Sequence, residues 1–295
     1  MTTDEDAKLA RLRELLPATS AGIYLATAEF GPLPAETAAA MREADDWELR
    51  VGRATVGRDE EMEQRVEEAR AVLAALLVAD PSEIVLAPGI EAALGLAGRF
   101  SNSRDASVLD ASLMVGAVPV EAAALGPEFI AFACDKWLLG PEQTAALWIS
   151  PRVGSSALGA AASSGLSRTA VLGLARSVGW LEMYVGLEFV YRRTAALATR
   201  MLESLHSIPG VRVKNPAPAV MTFVVDNWTV EDTVDELRRR VFAIVRLTPD
   251  GQSIRASVGW FNTESEIETF VGAVREIAAS TPDSIPRRLP LLGQQ

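Results

Sequence analysis

The sequence predicts an α/β protein whose C-terminal part has a separate α+β organisation. Short apolar segments that suit buried strands alternate with longer segments that suit helices, and Pro or Gly turns separate them. In the last third of the chain, strand-like segments occur together with two helical segments, which favours a small antiparallel sheet packed against helices. With 295 residues, 49% of them hydrophobic, the chain can bury one large core or two modest ones.

The first half contains a helix–strand–turn–helix series. Apolar residues recur at alternating steps of four and three from Met62 to Leu76, which predicts an amphipathic helix over residues 59–77 with Asp59 as its cap. After this helix, a strand, a turn and a second helix are expected at residues 83–87, 88–89 and 90–99. This order is typical of a layered α/β structure.

Three further apolar segments are predicted to be strands, at residues 106–109, 129–134 and 145–150. Asp110 follows the first of them, and Asp135 and Lys136 follow the second. Residues 154–167 are rich in Gly, Ala and Ser, which indicates a loop or a subunit-contact segment rather than a core strand.

The C-terminal part begins with a long helical region over residues 169–206, with a break expected near Gly186. Strands are predicted at residues 211–213, 221–225, 244–247 and 254–258, and helices at residues 230–240 and 264–279. Thr263 is the expected cap of the last helix.

Composition excludes several classes of function. A net charge of −11 argues against nucleic acid or an anionic membrane as a partner, because neither is attracted to an acidic surface. No apolar run is long enough to cross a bilayer, and the polar, acidic N-terminus does not resemble a secretory signal. The single cysteine, Cys134, fits a reducing cytoplasm, which is the expected location. With one cysteine and one histidine, His206, no metal site of the usual zinc type is expected.

Four segments carry a resemblance to a known family. In chain order they are YLATAEFGPLP (residues 24–34), LDASLMVGAVPVE (109–121), FIAFACDKWLLGPEQTAALWI (129–149) and IRASVGWFNTESEIE (254–268). They resemble the class V aminotransferases, a family of the pyridoxal phosphate fold type I that includes cysteine desulfurases and isopenicillin epimerase-like proteins.

The resemblance implies an enzyme that acts on a small amino acid, by transamination or by β- or γ-elimination. Lys136 matches the residue that holds pyridoxal phosphate as a Schiff base and then acts as a general base. Asp110 matches the carboxylate beside the ring nitrogen, and Arg255 matches the clamp for the substrate carboxylate. Gly89 and Ile90 are expected to offer backbone N–H groups to the phosphate at a helix N-terminus.

The chain also departs from the family pattern. Leu113 stands where the family has Gln or His, and Ala133 stands where it has a phosphate-binding Ser. Several strands and helices that the family has between the phosphate-loop helix and the aspartate strand are absent, including the aromatic residue that stacks on the cofactor ring. The resemblance therefore implies a truncated large domain of fold type I, and it predicts weaker binding of the cofactor.

Two other hypotheses about the function stay open at this point. In the first, an enzyme has kept the fold, lost pyridoxal phosphate and taken a different biosynthetic reaction, with Lys136, Asp110 or Asp135 as acid or base. In the second, the chain is a non-catalytic partner of a full-length relative. A yellow colour distinguishes a pyridoxal phosphate enzyme from both.

The expected organisation is an N-terminal segment (residues 1–30) that packs on the small domain, a reduced large domain (31–179), a small domain (180–280) and a tail (281–295). A sheet edge and helix faces left open by the missing segment need to be covered. A homodimer is therefore expected. The expected ligand is a small-molecule substrate.

Overall fold

The computed structural model describes residues 3–100, 106–153 and 165–285, which belong to two compact units. We call Phe30–Val190 the central unit, and Met1–Glu29 together with Tyr191–Gln295 the terminal unit. The predicted division of the chain after residue 179 stays a prediction.

Nine α-helices lie in the described residues, and one of them, α5, is a single turn. They are α1 (Thr3–Glu14), α2 (Ala35–Val51), α3 (Arg58–Leu77), α4 (Ile90–Phe100), α5 (Ala122–Leu125), α6 (Arg168–Trp180), α7 (Leu187–His206), α8 (Val230–Val241) and α9 (Glu264–Ala278). A π-helical turn, Leu181–Val185, and Gly186 with φ of 89° separate α6 from α7, which confirms the break expected near that glycine.

Ten strands lie in the same residues. They are β1 (Ile23–Tyr24), β2 (Ile84–Ala87), β3 (Val108–Asp110), β4 (Phe129–Ala133), β5 (Ala145–Ile149), β6 (Val211–Ala217), β7 (Val220–Val225), β8 (Ala243–Ile244), β9 (Arg246–Leu247) and β10 (Ile254–Ser257).

The central unit is built on a four-stranded sheet in the order β2-β5-β4-β3. Strands β2, β3 and β4 run in one direction and β5 runs in the other. One side of this sheet packs on α4, with Val85, Phe129 and Leu147 against Ala93 and Ala97. Strands β2, β4 and β5 are buried along their whole length, so their continuous apolar sequences reflect burial on both faces.

The terminal unit contains an antiparallel sheet in the order β6-β7-β10-β9, as predicted for the C-terminal part. Phe223 on β7 packs edge-on against Phe270 of α9, with ring centroids 6.1 Å apart. Helix α9 begins with a capping box in which Thr263 and Glu266 bond each other's backbone N–H, so Thr263 is its cap as predicted. A separate parallel pair joins β1 to β8.

Two details of the sequence prediction are wrong. Asp59 does not cap α3, because that helix begins one residue earlier and has Gly57, in the left-handed region, at its N-cap position. The strand predicted at residues 244–247 is two short strands in different sheets, since β8 pairs with β1 while β9 pairs with β10. Of the predicted loop at residues 154–167, positions 154–164 lie outside the described residues.

Candidate active site

Three segments that the sequence associates with a cofactor meet at one edge of the central sheet. Strands β2, β3 and β4 run in the same direction, so their C-terminal ends share this edge. The register places Ala87 and Ala133 opposite the same residue of β5, Ala145, which separates them by about 10 Å. Ligands of open α/β sheets bind at this kind of edge.

Asp110 ends β3 and is exposed. Its Oδ1 accepts a hydrogen bond of 2.9 Å from the Ser112 N–H, which leaves the second carboxylate oxygen available. The Ser112 hydroxyl in turn accepts a bond of 2.9 Å from the Ala133 N–H, at the end of β4. This chain of contacts fixes the segment after Asp110 beside the segment that leads to Lys136.

Lys136 lies in the lysine loop, as we call residues 134–144, which connects β4 to β5. Within the described residues its amine makes no hydrogen bond or ion pair, and no ion pair joins it to the adjacent Asp135. The loop around it is closed by backbone bonds, from Cys134 to the carbonyl of Thr144 (2.8 Å) and from Gly140 to the carbonyl of Cys134 (2.9 Å). A half-buried amine without a fixed partner on a rigid loop is available for covalent chemistry.

Two neighbours of the lysine have shifted acidities. Burial raises the pKa of the Asp135 carboxyl, and the hydrogen bond from the Gln143 N–H and the charge of Lys136 act against that rise. Burial, with a smaller effect of the Asp135 charge, raises the pKa of the Cys134 thiol well above its ordinary value. Cys134 is fully buried, as expected for a small core residue, and it stays a neutral thiol.

Backbone segments approach the lysine loop so closely that side chains are excluded. The Gly31 N–H donates to the Asp135 carbonyl at 2.7 Å, and a Cβ atom at Gly31 would come within 2.1 Å of the Lys136 carbonyl oxygen. On another side, Gly116 has φ of 88°, and a Cβ atom there would lie 3.0 Å from Trp137. These two glycines are therefore required for the position of the loop.

Gln143 takes a backbone conformation that suits glycine better. Its φ is 58°, in the left-handed region, and Leu139 in the same loop has φ of 56°. Glycine adopts this conformation without the steric cost that a side chain brings. The Gln143 N–H donates to Asp135 Oδ2 at 3.1 Å, which helps hold the conformation.

The predicted phosphate position lies where β2 turns into α4. Gly89 has φ of 90°, and the first turn of α4 follows it directly. The exposed Glu91 carboxylate belongs to that first turn and lies 3.8 Å from the place of a Cβ atom on Gly89. Backbone N–H groups at Ile90 and beyond can bind an anion, but the charge of Glu91 opposes it.

Arg255, the predicted substrate clamp, belongs to the terminal unit and is already engaged. Its Nη2 donates to a carboxylate oxygen of Glu29, also in the terminal unit. Burial lowers the pKa of the Arg255 guanidinium. The sequence contains no signal for this pair, because the two residues are 226 positions apart and Glu29 was not among the candidates.

In the residues that the structure describes, no group of three or more His, Cys, Asp or Glu side chains could hold a metal ion. Among these same residues, no helix is both long and apolar enough to span a bilayer.

Comparison with known protein families assigns the chain to one of them. The family model described as aminotransferase class-V matches residues 93–270, more than half of the chain. The chain therefore belongs to the class V aminotransferase family. No curated protein sequence matches it.

Solved structures of similar fold include two cysteine desulfurases and a cystine C–S lyase. The apo cysteine desulfurase from Thermococcus onnurineus NA1 is 18% identical with a TM-score of 0.77, over 95% of this chain and 99% of that chain. The cysteine desulfurase CsdA from Escherichia coli is 16% identical with a TM-score of 0.72, over 90% and 97%. The cystine C–S lyase C-DES, in complex with cysteine persulfide, is 13% identical with a TM-score of 0.73, over 88% and 99%. At these identities the likeness establishes the fold.

Proposed function

We propose that the chain is a pyridoxal phosphate-dependent enzyme that acts on a small amino acid, by transamination or by β- or γ-elimination, with Lys136 as the residue that holds the cofactor. The observation that carries this proposal is the shared sheet edge. Gly89 and Lys136 follow the C-terminal ends of β2 and β4, Asp110 is the last residue of β3, and the three strands run in one direction.

The residues present fit the cofactor at two of its three contacts. The Lys136 amine has no partner within the described residues, and one oxygen of Asp110 is available. At the third contact, the phosphate, Ala133 offers no hydroxyl, so the phosphate would depend on backbone N–H groups after Gly89. Leu113 likewise offers no polar atom to the cofactor's ring oxygen. Each missing charge-assisted hydrogen bond lowers affinity by about 1.5–3 kcal/mol, so we expect weaker binding than in relatives with every donor.

The roles of the chain's own residues follow from their chemistry. Pyridoxal phosphate, when bound, supplies an electron sink for the charge left at the substrate's α-carbon. Asp110 would keep a proton on the ring nitrogen, because a carboxylate there favours the protonated form. The Lys136 amine would hold the cofactor through its aldehyde carbon, and as a free amine it would move a proton at the substrate's α-carbon.

A second candidate is an enzyme that has kept the fold and works without pyridoxal phosphate. It is favoured by Leu113 and Ala133, since both replacements fall on direct contacts of the cofactor in the family. In that case Asp135, whose pKa is raised by burial, would be a proton donor or acceptor beside Lys136.

One experiment separates the two candidates. The purified protein is mixed with pyridoxal phosphate, its visible spectrum is recorded, and borohydride reduction is followed by peptide mass mapping. The chain has three lysines, Lys8, Lys136 and Lys214, so the labelled position is easily assigned. We expect a yellow protein with a pyridoxyl group on Lys136.

The variants Lys136→Arg and Lys214→Arg form a matched pair, since both keep the charge and remove an amine that can react with an aldehyde. The first should abolish the colour and the second should leave it unchanged. A colourless wild-type protein with unmodified Lys136 would contradict the proposal and favour the cofactor-independent enzyme.

A further inference from the structure

Glu29 forms an ion pair with Arg255, the residue that matches the family's arginine for the substrate carboxylate. In the described residues, the ion pair with Glu29 is the single hydrogen-bonding contact of the Arg255 guanidinium. A guanidinium has five N–H donors, so most of those of Arg255 stay available. The two side chains are 14% and 33% exposed, so the pair is accessible to a small ligand.

The position of Glu29 is set by the strand that carries Arg255. Ser257, two residues after Arg255 on β10, accepts a hydrogen bond of 2.8 Å from the Ala28 N–H and donates its own N–H to the Leu25 carbonyl at 2.8 Å. The Glu29 N–H closes a turn onto the Ala26 carbonyl, also at 2.8 Å. The backbone next to Glu29 is therefore fixed to β10, while its carboxylate rests on a side-chain contact alone.

A second arginine makes this place attractive to anions. Arg246 on β9 lies directly opposite Arg255 in the antiparallel register, and directly opposite residues project from the same face of a sheet. Arg246 is exposed and makes no ion pair in the part of the chain that the structure describes. The three side chains together carry a net charge of about +1 with Glu29 ionised, and about +2 when that carboxylate is removed.

We infer that Glu29 is a built-in competitor of the substrate carboxylate at Arg255. The inference rests on the proposed function for the identity of the ligand, and it concerns how tightly that ligand is held. A substrate carboxylate reaches a bidentate contact with Arg255 only when the Glu29 carboxylate moves aside, so its affinity is reduced by the cost of breaking the resident ion pair. Glu29 thereby raises the substrate concentration that is needed to occupy the site.

The test measures carboxylate binding at Arg255 directly, with the full chain and without added cofactor. Acetate is titrated into protein labelled with ¹⁵N-arginine, and the Nε–H signal of Arg255, assigned with Arg255→Lys, is followed. We expect the apparent Kd for acetate to fall about tenfold or more in Glu29→Gln, which corresponds to about 1.4 kcal/mol per factor of ten. Glu29→Ala should change the Kd in the same direction.

Glu268→Gln is the matched control, because it removes the same charge from another ion pair of the terminal unit, that with Arg200. It should leave the acetate Kd at Arg255 unchanged. Equal Kd values in wild type and Glu29→Gln, or no response of the Arg255 signal in either protein, would overturn the inference.

Failure of this inference is distinguishable from failure of the proposed function. If Lys136 is unlabelled but acetate binds more tightly in Glu29→Gln, the cofactor proposal is wrong and the competition by Glu29 is supported. If Lys136 is labelled but acetate binding is unchanged, the cofactor proposal is supported and the competition by Glu29 is wrong. In an active enzyme, Glu29→Gln should lower KM for an amino-acid substrate and leave kcat close to the wild-type value, because the change affects binding of the carboxylate.

Discussion

The side chain at position 133 is a methyl group where the family has a hydroxyl. Ala133 ends β4 and is almost fully buried, and its N–H is bonded to the Ser112 hydroxyl. Ala133→Ser should strengthen binding of pyridoxal phosphate by about ten- to a hundredfold, because it adds one charge-assisted hydrogen bond of roughly 1.5–3 kcal/mol. A spectroscopic titration with the cofactor measures the effect. Ala124→Ser, at an exposed position of α5, is the control, and an unchanged Kd in Ala133→Ser would show that the phosphate does not bind there.

Asp135 gives the stability of the protein a pH dependence of defined sign. Burial raises its pKa in the folded state, so the ionised carboxylate disfavours folding at high pH. Well below the ordinary carboxyl pKa the group is protonated in both states and the penalty is absent. The penalty grows as the pH rises from that ordinary pKa to the raised pKa of the folded state, and it is constant at higher pH. Asp135→Asn keeps an acceptor for the Gln143 N–H and should raise Tm at pH 7 by about 1–3 °C, with a smaller gain at pH 4.5.

Asp250 provides a control of opposite sign for that measurement. Its exposed carboxylate accepts hydrogen bonds from Thr248 and Gln252, which lower its pKa. The stability it contributes is present at neutral pH and is lost as the pH falls, so Asp250→Asn should lower Tm at pH 7. If both Asp-to-Asn variants shift Tm in the same direction, the assignment of the Asp135 effect to burial is wrong.

At the scale of secondary-structure elements, the start of α9 is held by several side-chain hydrogen bonds. Thr263 caps the helix, and the Glu266 carboxylate accepts hydrogen bonds from the Thr263 N–H, from the Asn262 amide and from Arg13. Thr263→Ala should lower the free energy of unfolding by about 1 kcal/mol, in the range known for N-caps. Glu266→Ala should cost more, because it removes three contacts, one of them charged.

Urea unfolding of the two variants measures this difference, and Thr229→Ala is its matched control. Thr229 caps α8 in the same way, through the Asp232 N–H. Thr229→Ala and Thr263→Ala should lower the free energy of unfolding by similar amounts. If Glu266→Ala lowers it by no more than they do, the carboxylate contributes little.

Local signals allowed elements such as α9 to be predicted with nearly correct bounds. Residues 264–279 have helical periodicity and a capping pattern at their start, both properties of neighbouring residues. Helix α3 was predicted for the same reason, although its start was misplaced by one residue. The strand at residues 244–247 was mispredicted, because sheet pairing with distant strands divides it at Val245, and no local pattern encodes that pairing.

The candidate site shows the same contrast between local and distant information. Asp110 and Lys136 were proposed because characteristic neighbours surround them in the sequence. In the structure Asp110 is the last residue of β3 and Lys136 follows β4, and both strands end at one sheet edge. The engagement of Arg255 by Glu29 could not be predicted, since it depends on a contact across 226 positions. Helices α1 and α2 were not predicted either, and α1, rich in charge with few apolar residues, has a weak periodic pattern.

For the whole molecule, the shortened sheet has a consequence for assembly. In the described residues β3 pairs with β4 alone, and the Val108 side chain on this strand is partly exposed to solvent. An unpaired edge with an apolar side chain favours association, so we expect a homodimer. Light scattering after gel filtration should give a mass of two chains, about twice 31.5 kDa, over a tenfold range of concentration. A mass of one chain throughout would count against a dimer.

The contact of Gly31 with the lysine loop has a consequence for deuterium exchange. The Gly31 N–H is bonded to the Asp135 carbonyl, and the same glycine lies against the Lys136 carbonyl. This amide can exchange with solvent deuterium only when the segment before α2 separates from the loop. The rate of deuterium uptake at this amide therefore measures motion of the backbone beside Lys136. It can be measured in the intact wild-type protein, without substrate or coloured cofactor.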